Sequence, residues 1–409
     1  MTEPAAPFPR ADHPLLFVTL SLDIGGTERH LAEITPALRR RGWPVTVFCF
    51  NSRGLNADAV AAHGVEVVGP PVEARLSRSP RLGRLAYLPL AAGRLARVIR
   101  RRRPRVAHFF LAEAYMAGAP VARLLGVPVL AMSRRSLSVY QANFPAAASI
   151  ERRLHRQMSA IVANSRASLV ELEGREGCDP ARLGLIYNGV VAAATRPARA
   201  RAEVRRALGL PDAAFVAITV ANLNAYKGHA DLLAALGLVQ SRLPAPWCLL
   251  AVGGDFGIQA ALEAQARALG IGANVRFLGA RADVADLLGA ADLGLLCSHQ
   301  EGFSNAVIEK MAAGLAVIVT DVGGNPEAVR QGIDGLVIPP RDPRKLADAI
   351  VTLALDGAFR TRLGASGRQR VAERFTLDDC VSRYDALYRG LIDGRQPRDI
   401  AEIAPGARR

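Results

Sequence analysis

Two glutamates stand eight residues apart around a predicted helix start in the second half of the chain. Glu301 lies in a polar turn that follows an apolar run, and Glu309 lies in the helical pattern that comes next. Ionised carboxylates accept hydrogen bonds, and they hold the vicinal hydroxyls that sugars and riboses carry. The helix start at Ser304 or Asn305 presents backbone N–H groups and a partial positive charge, which suit a phosphate. The pattern predicts a site for one extended ligand that carries both hydroxyls and phosphate.

The elements around these glutamates form a strand, loop, helix, strand unit. Apolar runs over 293–297 and 315–319 are short enough to be buried strands. Residues 305–313 between them have helical spacing, which ends at Gly314. The loop with Glu301 then lies at the carboxyl end of the first strand, where open parallel sheets bind ligands. The alternative is a pair of surface glutamates on a capped helix, which the surrounding pattern disfavours.

This segment resembles the donor-binding segment of glycosyltransferase family 4, whose members are retaining enzymes that use nucleotide-activated sugars. Glu301 through Glu309 match the E-x7-E element of the family, and residues 321–327 match the turn that follows it. The resemblance implies that Glu301 contacts the donor sugar and Glu309 the ribose. It also implies that the diphosphate lies on the backbone of Phe303, Ser304, Asn305 and Ala306.

Short apolar runs alternate with helical patterns along the chain, which predicts an α/β fold with doubly wound parallel sheets. The resemblance implies the GT-B architecture, in which two Rossmann-like domains face each other across a cleft. The expected strands are 15–20, 45–50, 65–68, 106–111, 127–132, 161–163, 185–187, 215–220, 249–252, 275–279, 293–297 and 315–319. The expected helices include 27–41, 229–239, 305–313, 345–354 and 377–392.

A linker separates the two expected domains. Residues 191–202 are rich in Ala, Arg and Pro without periodicity. We therefore expect a Rossmann-like acceptor-binding domain at 1–190 and a Rossmann-like nucleotide-sugar-binding domain at 191–376. Residues 377–409 are expected to form a helix that crosses back to the first domain, followed by a polar, mobile tail from Arg395.

A glycine pair, Gly25 and Gly26, follows the first expected strand and precedes a helix. Glycines at a helix start let the backbone approach a ligand closely. Their spacing is not G-x-G-x-x-G, so the fingerprint of nicotinamide cofactors is absent. The resemblance places this pair across the cleft from the donor phosphates, and a purely structural turn is the alternative.

Three residues of the second domain are further donor-site candidates. Lys227, before Gly228 at a helix start, resembles the phosphate-binding lysine of the family. Asn222 stands five residues earlier, where the family commonly has an arginine, so a neutral amide replaces a charged donor. Gly279 ends an edge-like strand where, in the family, the nucleotide base sits.

The family usually places a histidine near the donor sugar after the strand that corresponds to 127–132, and this chain has none there. Arg134 and His108 are the candidates to take its place in catalysis. For a lone histidine such as His108, a hydrogen-bonded structural role is the alternative.

The sequence indicates no metal site. It contains no D-x-D, and its five cysteines are far apart with no C-x-x-C. We expect no metal and no cofactor, only a nucleotide-diphosphate sugar as donor, linked to UDP or GDP. Backbone groups would read the base, so the side chains do not decide between uracil and guanine.

The formal charge of +15 is carried almost wholly by arginine, because the chain has only three lysines. Residues 75–105 contain eleven arginines and no acid, and their second half has a helical apolar stripe. We expect this helix to pack its stripe on the first domain. Its basic face is expected either to be solvated only or also to dock on anionic lipid. No nucleic acid partner is expected. Because the chain shows neither a signal peptide nor an apolar run of eighteen residues, we expect a cytoplasmic protein, peripheral on the inner face of the membrane.

The function expected from this resemblance is retaining transfer of a sugar to a glycan or lipid-linked acceptor, in the synthesis of polysaccharide, lipopolysaccharide or glycolipid. Two alternatives stay open at this point. One is a sugar-nucleotide epimerase, and the other is a nucleotide-sugar-binding protein with weak catalysis, which Asn222 and the missing histidine favour.

Overall fold

The structure is a computed structural model that describes residues 9–404 except 24, 71–81, 139–140 and 142–144. Side chains are described for all of these except 82–88, 145, 192 and 193. The chain divides into two compact units. The first combines the chain up to Tyr187 with the chain from Leu377 onward, and the second is Asn188–Thr376.

The first unit contains a sheet of seven strands among its described residues, in the order β3-β2-β1-β4-β5-β6-β7. All neighbours in this sheet are parallel. The strands are β1 (Leu15–Thr19), β2 (Val45–Cys49), β3 (Glu66–Val68), β4 (Val106–Phe110), β5 (Val129–Arg134), β6 (Ala160–Ala163) and β7 (Leu183–Leu185). The helices between them are α1 (Gly26–Arg40), α2 (Ala57–Ala61), α3 (Leu82–Arg102), α4 (Ala112–Leu124), α5 (Pro145–His155) and α6 (Arg166–Gly174).

The second unit contains a sheet of six described strands in the order β10-β9-β8-β11-β12-β13, and its neighbours are also parallel. The strands are β8 (Phe215–Val220), β9 (Trp247–Val252), β10 (Val275–Gly279), β11 (Leu293–Leu296), β12 (Ala316–Thr320) and β13 (Gly335–Ile338). The helices are α7 (Arg201–Ala207), α8 (His229–Val239), α9 (Gln259–Ala268), α10 (Val284–Ala290), α11 (Asn305–Ala312), α12 (Asn325–Ala328), α13 (Pro343–Leu355) and α14 (Gly357–Arg374). The predicted α/β class with doubly wound parallel sheets is confirmed.

Each sheet has a hydrophobic core on both faces, because successive side chains of a strand point to opposite sides. In β1, Leu15 and Phe17 belong to one core of the first unit, and Leu16 and Val18 belong to the other. All four side chains are at most 2 % exposed. Strands buried on both faces read as continuous apolar runs, which is why short apolar runs identified them in the sequence.

The last helix, α15 (Leu377–Ile392), belongs to the first unit. Its Tyr384 and Tyr388 are buried in the same core as Phe17. Asp385 accepts hydrogen bonds from the guanidinium of Arg10 at 2.8 and 3.0 Å and from the indole of Trp43 at 2.8 Å. Since these partners lie near the beginning of the chain, the two ends of the chain build one domain.

The expectation that the tail from Arg395 is mobile is wrong for residues 395–404. Ile400 and Ile403 are fully buried, and Leu185 of β7 donates its backbone N–H to the carbonyl of Ile403 at 2.9 Å. Gly184 makes room for this packing, because a Cβ there would lie 3.2 Å from Cδ1 of Ile403. Two isolated isoleucines among polar residues bury the segment without giving it a periodic pattern.

Among the helices that the structure describes, none combines the length and the apolar character needed to cross a membrane.

Candidate active site

The second unit has its topological switch point between β8 and β11. From β8 the chain continues to β9 on one side, and from β11 it continues to β12 on the other. Loops that leave adjacent strands in opposite directions open a crevice at the carboxyl edge of the sheet, where ligands bind. Lys227 follows β8 and Glu301 follows β11, so the topology brings these two residues together.

Glu301 and Lys227 form an ion pair at this crevice. Oε1 of Glu301 accepts a hydrogen bond from Nζ of Lys227 at 2.7 Å and another from Oγ of Ser298 at 2.6 Å. Burial disfavours the charged ammonium, but the Glu301 carboxylate and Tyr226 together outweigh burial and raise the pKa of Lys227 above its ordinary value. The structure thus joins two residues that the sequence predicts from separate motifs.

Gly228 fixes the position of Lys227. It has a left-handed backbone with φ of +71°, and a Cβ there would lie 1.9 Å from the carbonyl oxygen of Cys297. Only glycine permits this approach between the loop after β8 and the end of β11. The next residue, His229, begins α8, and its Nε2 lies 3.2 Å from the carbonyl oxygen of Asn222.

The start of α11 follows Glu301 closely in the sequence. Ser304 is the N-cap residue and makes no capping hydrogen bond with its side chain. The first N–H groups of a helix have no partner within the helix. Nδ2 of Asn188 donates to the carbonyl of Phe303 at 3.1 Å and to Oδ1 of Asn305 at 2.6 Å, and so orients the helix start. The arrangement is suited to an anionic group.

The turn after β12 braces the Glu301 loop from the other side. The N–H of Gly324 donates to the carbonyl of Gly302 at 2.7 Å, and the hydroxyl of Thr320 donates to the carbonyl of Ser298 at 2.5 Å. Gly323 has φ of +52°, and a Cβ there would lie 1.8 Å from the carbonyl oxygen of Glu301. Glycine is therefore required at 323 by both backbone conformation and space.

The remaining predicted residues of this segment lie on or beside α11. Glu309 is 6 % exposed and stands one turn past the helix start. Ala306 is half-buried. The buried ring of Phe303 packs against Phe375 with centroids 5.2 Å apart, so the ring belongs to the core and only the backbone of Phe303 is suited to a ligand contact.

Asn222 and Gly279 lie at the carboxyl ends of β8 and β10, the two strands on either side of β9. Oδ1 of Asn222 accepts the N–H of Gly254 at 3.0 Å, so the amide organises the turn after β9. Gly279 ends the edge strand β10, and its carbonyl accepts the N–H of Gly253 at 2.9 Å. A Cβ at Gly279 would meet nothing within 4 Å, which leaves open space beside it.

The other predicted residues belong to the first unit. Gly25 caps α1 with an extended backbone, and Gly26 is the first helical residue. A Cβ on Gly25 would lie 2.2 Å from Oε2 of Glu28, whereas one on Gly26 would meet nothing within 4 Å. They follow β1, which adjoins β4 at the switch point of the first sheet. This position suits a ligand site of the first unit.

His108 and Arg134 are both buried and engaged with other side chains. The ring nitrogens of His108 lie 2.8 Å from the Tyr388 hydroxyl and 2.9 Å from the Ser133 hydroxyl, and burial lowers the pKa of His108 to about 3. Arg134 donates to Glu176 at 2.7 Å, and His155 lies 2.8 Å from the same carboxylate oxygen. The geometry supports the structural alternative for His108. A catalytic role of either residue stays a prediction that this geometry does not support.

Three residues of the site are not among the site residues predicted from the sequence. They are Ser298, which donates to Glu301, Asn188, which orients the start of α11, and Lys310, which is 1 % exposed beside Glu309. The sequence signal for Ser298 is the polar turn that contains it, and the signal for Asn188 is the N-G dipeptide that it forms with Gly189. The sequence does not indicate that Lys310 is buried, because a lysine at this position of an amphipathic helix is expected on the surface.

Comparisons with known proteins agree with this fold. The family described as Glycosyltransferase Family 4 matches residues 24–193, and the family described as Glycosyl transferases group 1 matches residues 214–356. D-inositol 3-phosphate glycosyltransferase 1 of Catenulispora acidiphila is 33 % identical over 299 residues, which are 69 % of this chain and 71 % of that protein. D-inositol 3-phosphate glycosyltransferase of Streptomyces bingchenggensis is 31 % identical over 243 residues, which are 57 % of this chain but only 53 % of that protein.

A solved structure with the same fold is HepE of Anabaena in complex with UDP and glucose. It superposes with a TM-score of 0.80 at 23 % identity, over 92 % of this chain and 100 % of that one. The fold is accordingly that of the GT-B glycosyltransferases. The chain belongs to glycosyltransferase family 4, and it is an enzyme of the glycosyltransferase class.

Proposed function

We propose that the second unit binds a nucleoside-diphosphate sugar and that the enzyme transfers the sugar, with retention of its anomeric configuration, to a glycan or lipid-linked acceptor. The observation that carries this proposal is the Lys227–Glu301 ion pair at the β8/β11 switch point. The Lys227 ammonium can bind phosphate and the Glu301 carboxylate can accept hydrogen bonds from hydroxyls, and their Nζ and Oε1 atoms lie 2.7 Å apart.

Each part of the site has one role in this proposal. Lys227 and the first-turn N–H groups of α11 hold the diphosphate, whose charge a helix start and a cation stabilise as the leaving group departs. Glu301 binds the donor sugar, and Glu309 binds the ribose. Backbone near Gly279 receives the base. Gly25 and Gly26 let the backbone at the start of α1 approach a ligand closely in the first unit.

The donor is a UDP- or GDP-sugar in this proposal, and UDP has the better support. HepE of Anabaena shares the fold and has been solved with UDP and with UDP-glucose. For the acceptor, the comparisons suggest two different classes of molecule. The relative from Catenulispora acidiphila is named for D-inositol 3-phosphate, whereas WaaG, which shares the fold at a TM-score of 0.68, is described as involved in lipopolysaccharide biosynthesis. Synthesis of cell-surface polysaccharide, lipopolysaccharide or glycolipid is the pathway we propose.

A donor panel tests the proposal. Purified protein is incubated with UDP-, GDP- and ADP-sugars, with and without D-inositol 3-phosphate or a lipid-linked sugar, and released nucleoside diphosphate and the product anomer are measured. Release that rises with acceptor, and a product with the donor's anomeric configuration, are the expected results. An isomerised donor without nucleotide release would indicate an epimerase, and binding without any release would indicate a protein with lost catalysis. Either result contradicts the proposal.

We also propose that α3 attaches the enzyme to anionic lipid. Its Ala91, Leu95 and Ile99 are buried in a core of the first unit, and its opposite face exposes Arg97 and Arg100. The exposed arginines at and beyond its end are Arg101, Arg102, Arg103 and Arg105, of which Arg102 is paired with Glu66. Residues 75–81 of the predicted basic segment lie outside the described residues. The apolar stripe and the basic face are thus separate, so packing and lipid contact are compatible.

A further inference from the structure

Lys310 is a buried lysine that the proposed donor chemistry does not use. It follows Glu309 on α11, its side chain is 1 % exposed, and its Nζ makes no hydrogen bond to any described residue. A buried ammonium without a paired anion is costly, and an apolar side chain of similar volume commonly gives a more stable protein. Such a residue therefore calls for a reason other than stability.

Gly294 shows that the strand next to α11 is adapted to this lysine. It lies inside β11, where a glycine weakens the strand because it has no side chain to pack. A Cβ at Gly294 would lie 2.7 Å from Cδ of Lys310 and 3.3 Å from its Cβ. The aliphatic stem of Lys310 thus occupies the space that a side chain of β11 would fill.

The charged neighbours of Lys310 belong to the site. Its pKa responds to Glu309, Cys297, Glu301 and Lys227, which lie on α11, at the end of β11, in the loop after β11 and in the turn after β8. Lys310 in turn lowers the pKa of His229 at the start of α8. From α14, Arg368 bonds to the carbonyl of Ala313, at the far end of α11. Burial raises the pKa of the Cys297 thiol to about 12 and lowers the pKa of His229, so both are neutral near pH 8.

The nearest charges to Lys310 are therefore two carboxylates, Glu301 and Glu309, and one ammonium group, Lys227. We propose that Lys310 is a positioning residue of the donor site, whose buried ammonium offsets Glu301 and Glu309 so that Lys227 can pass from Glu301 to the donor diphosphate. This role rests on the proposed function. Without Lys310, an incoming diphosphate would meet two carboxylates whose charge only Lys227 opposes.

The protonation of Lys310 follows from its position. Burial lowers the pKa of Lys310 to about 8, so the amine is charged below that pH and neutral above it. A bound diphosphate adds negative charge nearby and raises this pKa. Protons are then taken up on binding near pH 8, and the affinity for diphosphate falls as the pH rises through about 8.

Calorimetry with UDP and GDP tests this role in the wild-type protein and in Lys310→Met. Titrations in two buffers of different ionisation enthalpy, between about pH 6.5 and 9, give the number of protons taken up. We expect the wild type to take up protons near pH 8 and to lose affinity above it. Lys310→Met should bind about tenfold more weakly at neutral pH, with no proton uptake in that range.

Two controls separate this role from a folding defect. Lys310→Met keeps the volume of the side chain and breaks no hydrogen bond, so the variant should stay folded, with a thermal unfolding temperature close to that of the wild type, while its affinity falls. Lys345→Met, on the exposed side of α13, should change neither quantity. Gly294→Ala, which displaces the lysine stem, should weaken diphosphate binding in the same pH range.

An unchanged affinity and pH profile in Lys310→Met would overturn the role of Lys310 and leave the proposed function standing. Absence of UDP and GDP binding by the wild type would overturn the proposed function and this role with it.

Discussion

At the scale of single residues, the site has a cation that is already paired before any ligand arrives. Lys227 lies 2.7 Å from Glu301, and the carboxylate keeps its pKa raised against the effect of burial. In the proposed function, a diphosphate competes with this carboxylate for the ammonium. The same competition would return Lys227 to Glu301 when the nucleotide leaves, so we infer that the pair serves product release as well as binding.

Glu301→Gln tests this arrangement with little change of shape. The amide keeps the size of the side chain but loses the charge. The donor sugar would then lose its anionic partner, and the pKa of Lys227 should fall, because the carboxylate that mainly opposes the effect of burial is gone. We expect kcat to fall about a hundredfold, and KM for the donor to change much less, because the loss concerns the transition state. Steady-state kinetics with the donor found in the panel give both constants.

Glu173→Gln, an exposed glutamate of the first unit, is the matched control and should leave kcat unchanged. If Glu301→Gln keeps the wild-type kcat, Glu301 does not act on the donor sugar.

At the scale of elements, the loops after β8, β11 and β12 hold one another through backbone contacts. Gly323→Ala tests this bracing, because a Cβ at 323 would lie 1.8 Å from the carbonyl oxygen of Glu301 and φ is +52°. We expect loss of donor affinity and a lower unfolding temperature, since the turn after β12 must move away from the Glu301 loop. Calorimetry with UDP or GDP and thermal unfolding measure the two effects.

Gly332→Ala is the control for backbone strain alone. Gly332 has φ of +71°, and a Cβ there would meet nothing within 4 Å. It should cost about 1 to 2 kcal/mol of stability and leave donor affinity unchanged. Equal effects of the two substitutions on affinity would contradict the bracing role of Gly323.

The sequence predicts the elements that follow simple patterns. The strands of β8 and β11 and the helices α8 and α15 are found where apolar runs and helical spacing indicate them. The predicted strand at 185–187 instead forms at Leu183–Leu185, because buried residues of the distant tail pair and pack there. The sequence does not predict the helix α14. Its buried face consists of Leu363, Gly364, Gly367 and Val371, and the two glycines leave it without an apolar stripe.

The site is predictable where its residues are local in sequence and not where contacts cross the chain. Glu301, Glu309 and the start of α11 share one motif, and Lys227 carries its own. Asn188, more than a hundred residues from Asn305, acts on α11 only through the fold. His108 is a residue for which the local sequence misleads. Its hydrogen-bond partner Tyr388 belongs to the last helix, so no local pattern reveals that the His108 ring is buried. Its predicted catalytic role remains untested.

At the scale of the whole molecule, the charge of +15 is concentrated in part on α3 and the residues after it. Each arginine near an anionic surface contributes about 1 kcal/mol, so four of them account for about 4 kcal/mol, or about a thousandfold in partition. Replacement of Arg97, Arg100, Arg101 and Arg103 by glutamine should therefore abolish binding to vesicles that contain anionic lipid. Flotation assays at low and high salt measure this, and wild-type binding should decrease with salt.

The control variant removes four positive charges from the second unit instead. It replaces by glutamine the exposed arginines Arg206, Arg242, Arg344 and Arg374. Equal loss of binding in the two variants would mean that net charge, not α3, attaches the protein. No binding of the wild type to anionic vesicles at low salt would make a soluble acceptor the better proposal.

The return of α15 to the first unit also bears on how the chain is synthesised. The first unit is interrupted by about 190 residues of the second, so its sheet is complete long before Tyr384 and Tyr388 leave the ribosome. At about 5 to 20 residues per second, that delay is on the order of 10 to 40 seconds. During this interval the hydrophobic face around Phe17 and the ring of His108 lack their covering helix. The first unit is thus the first to begin and the last to be completed, so its core near Phe17 is the part of the nascent chain that stays uncovered for longest.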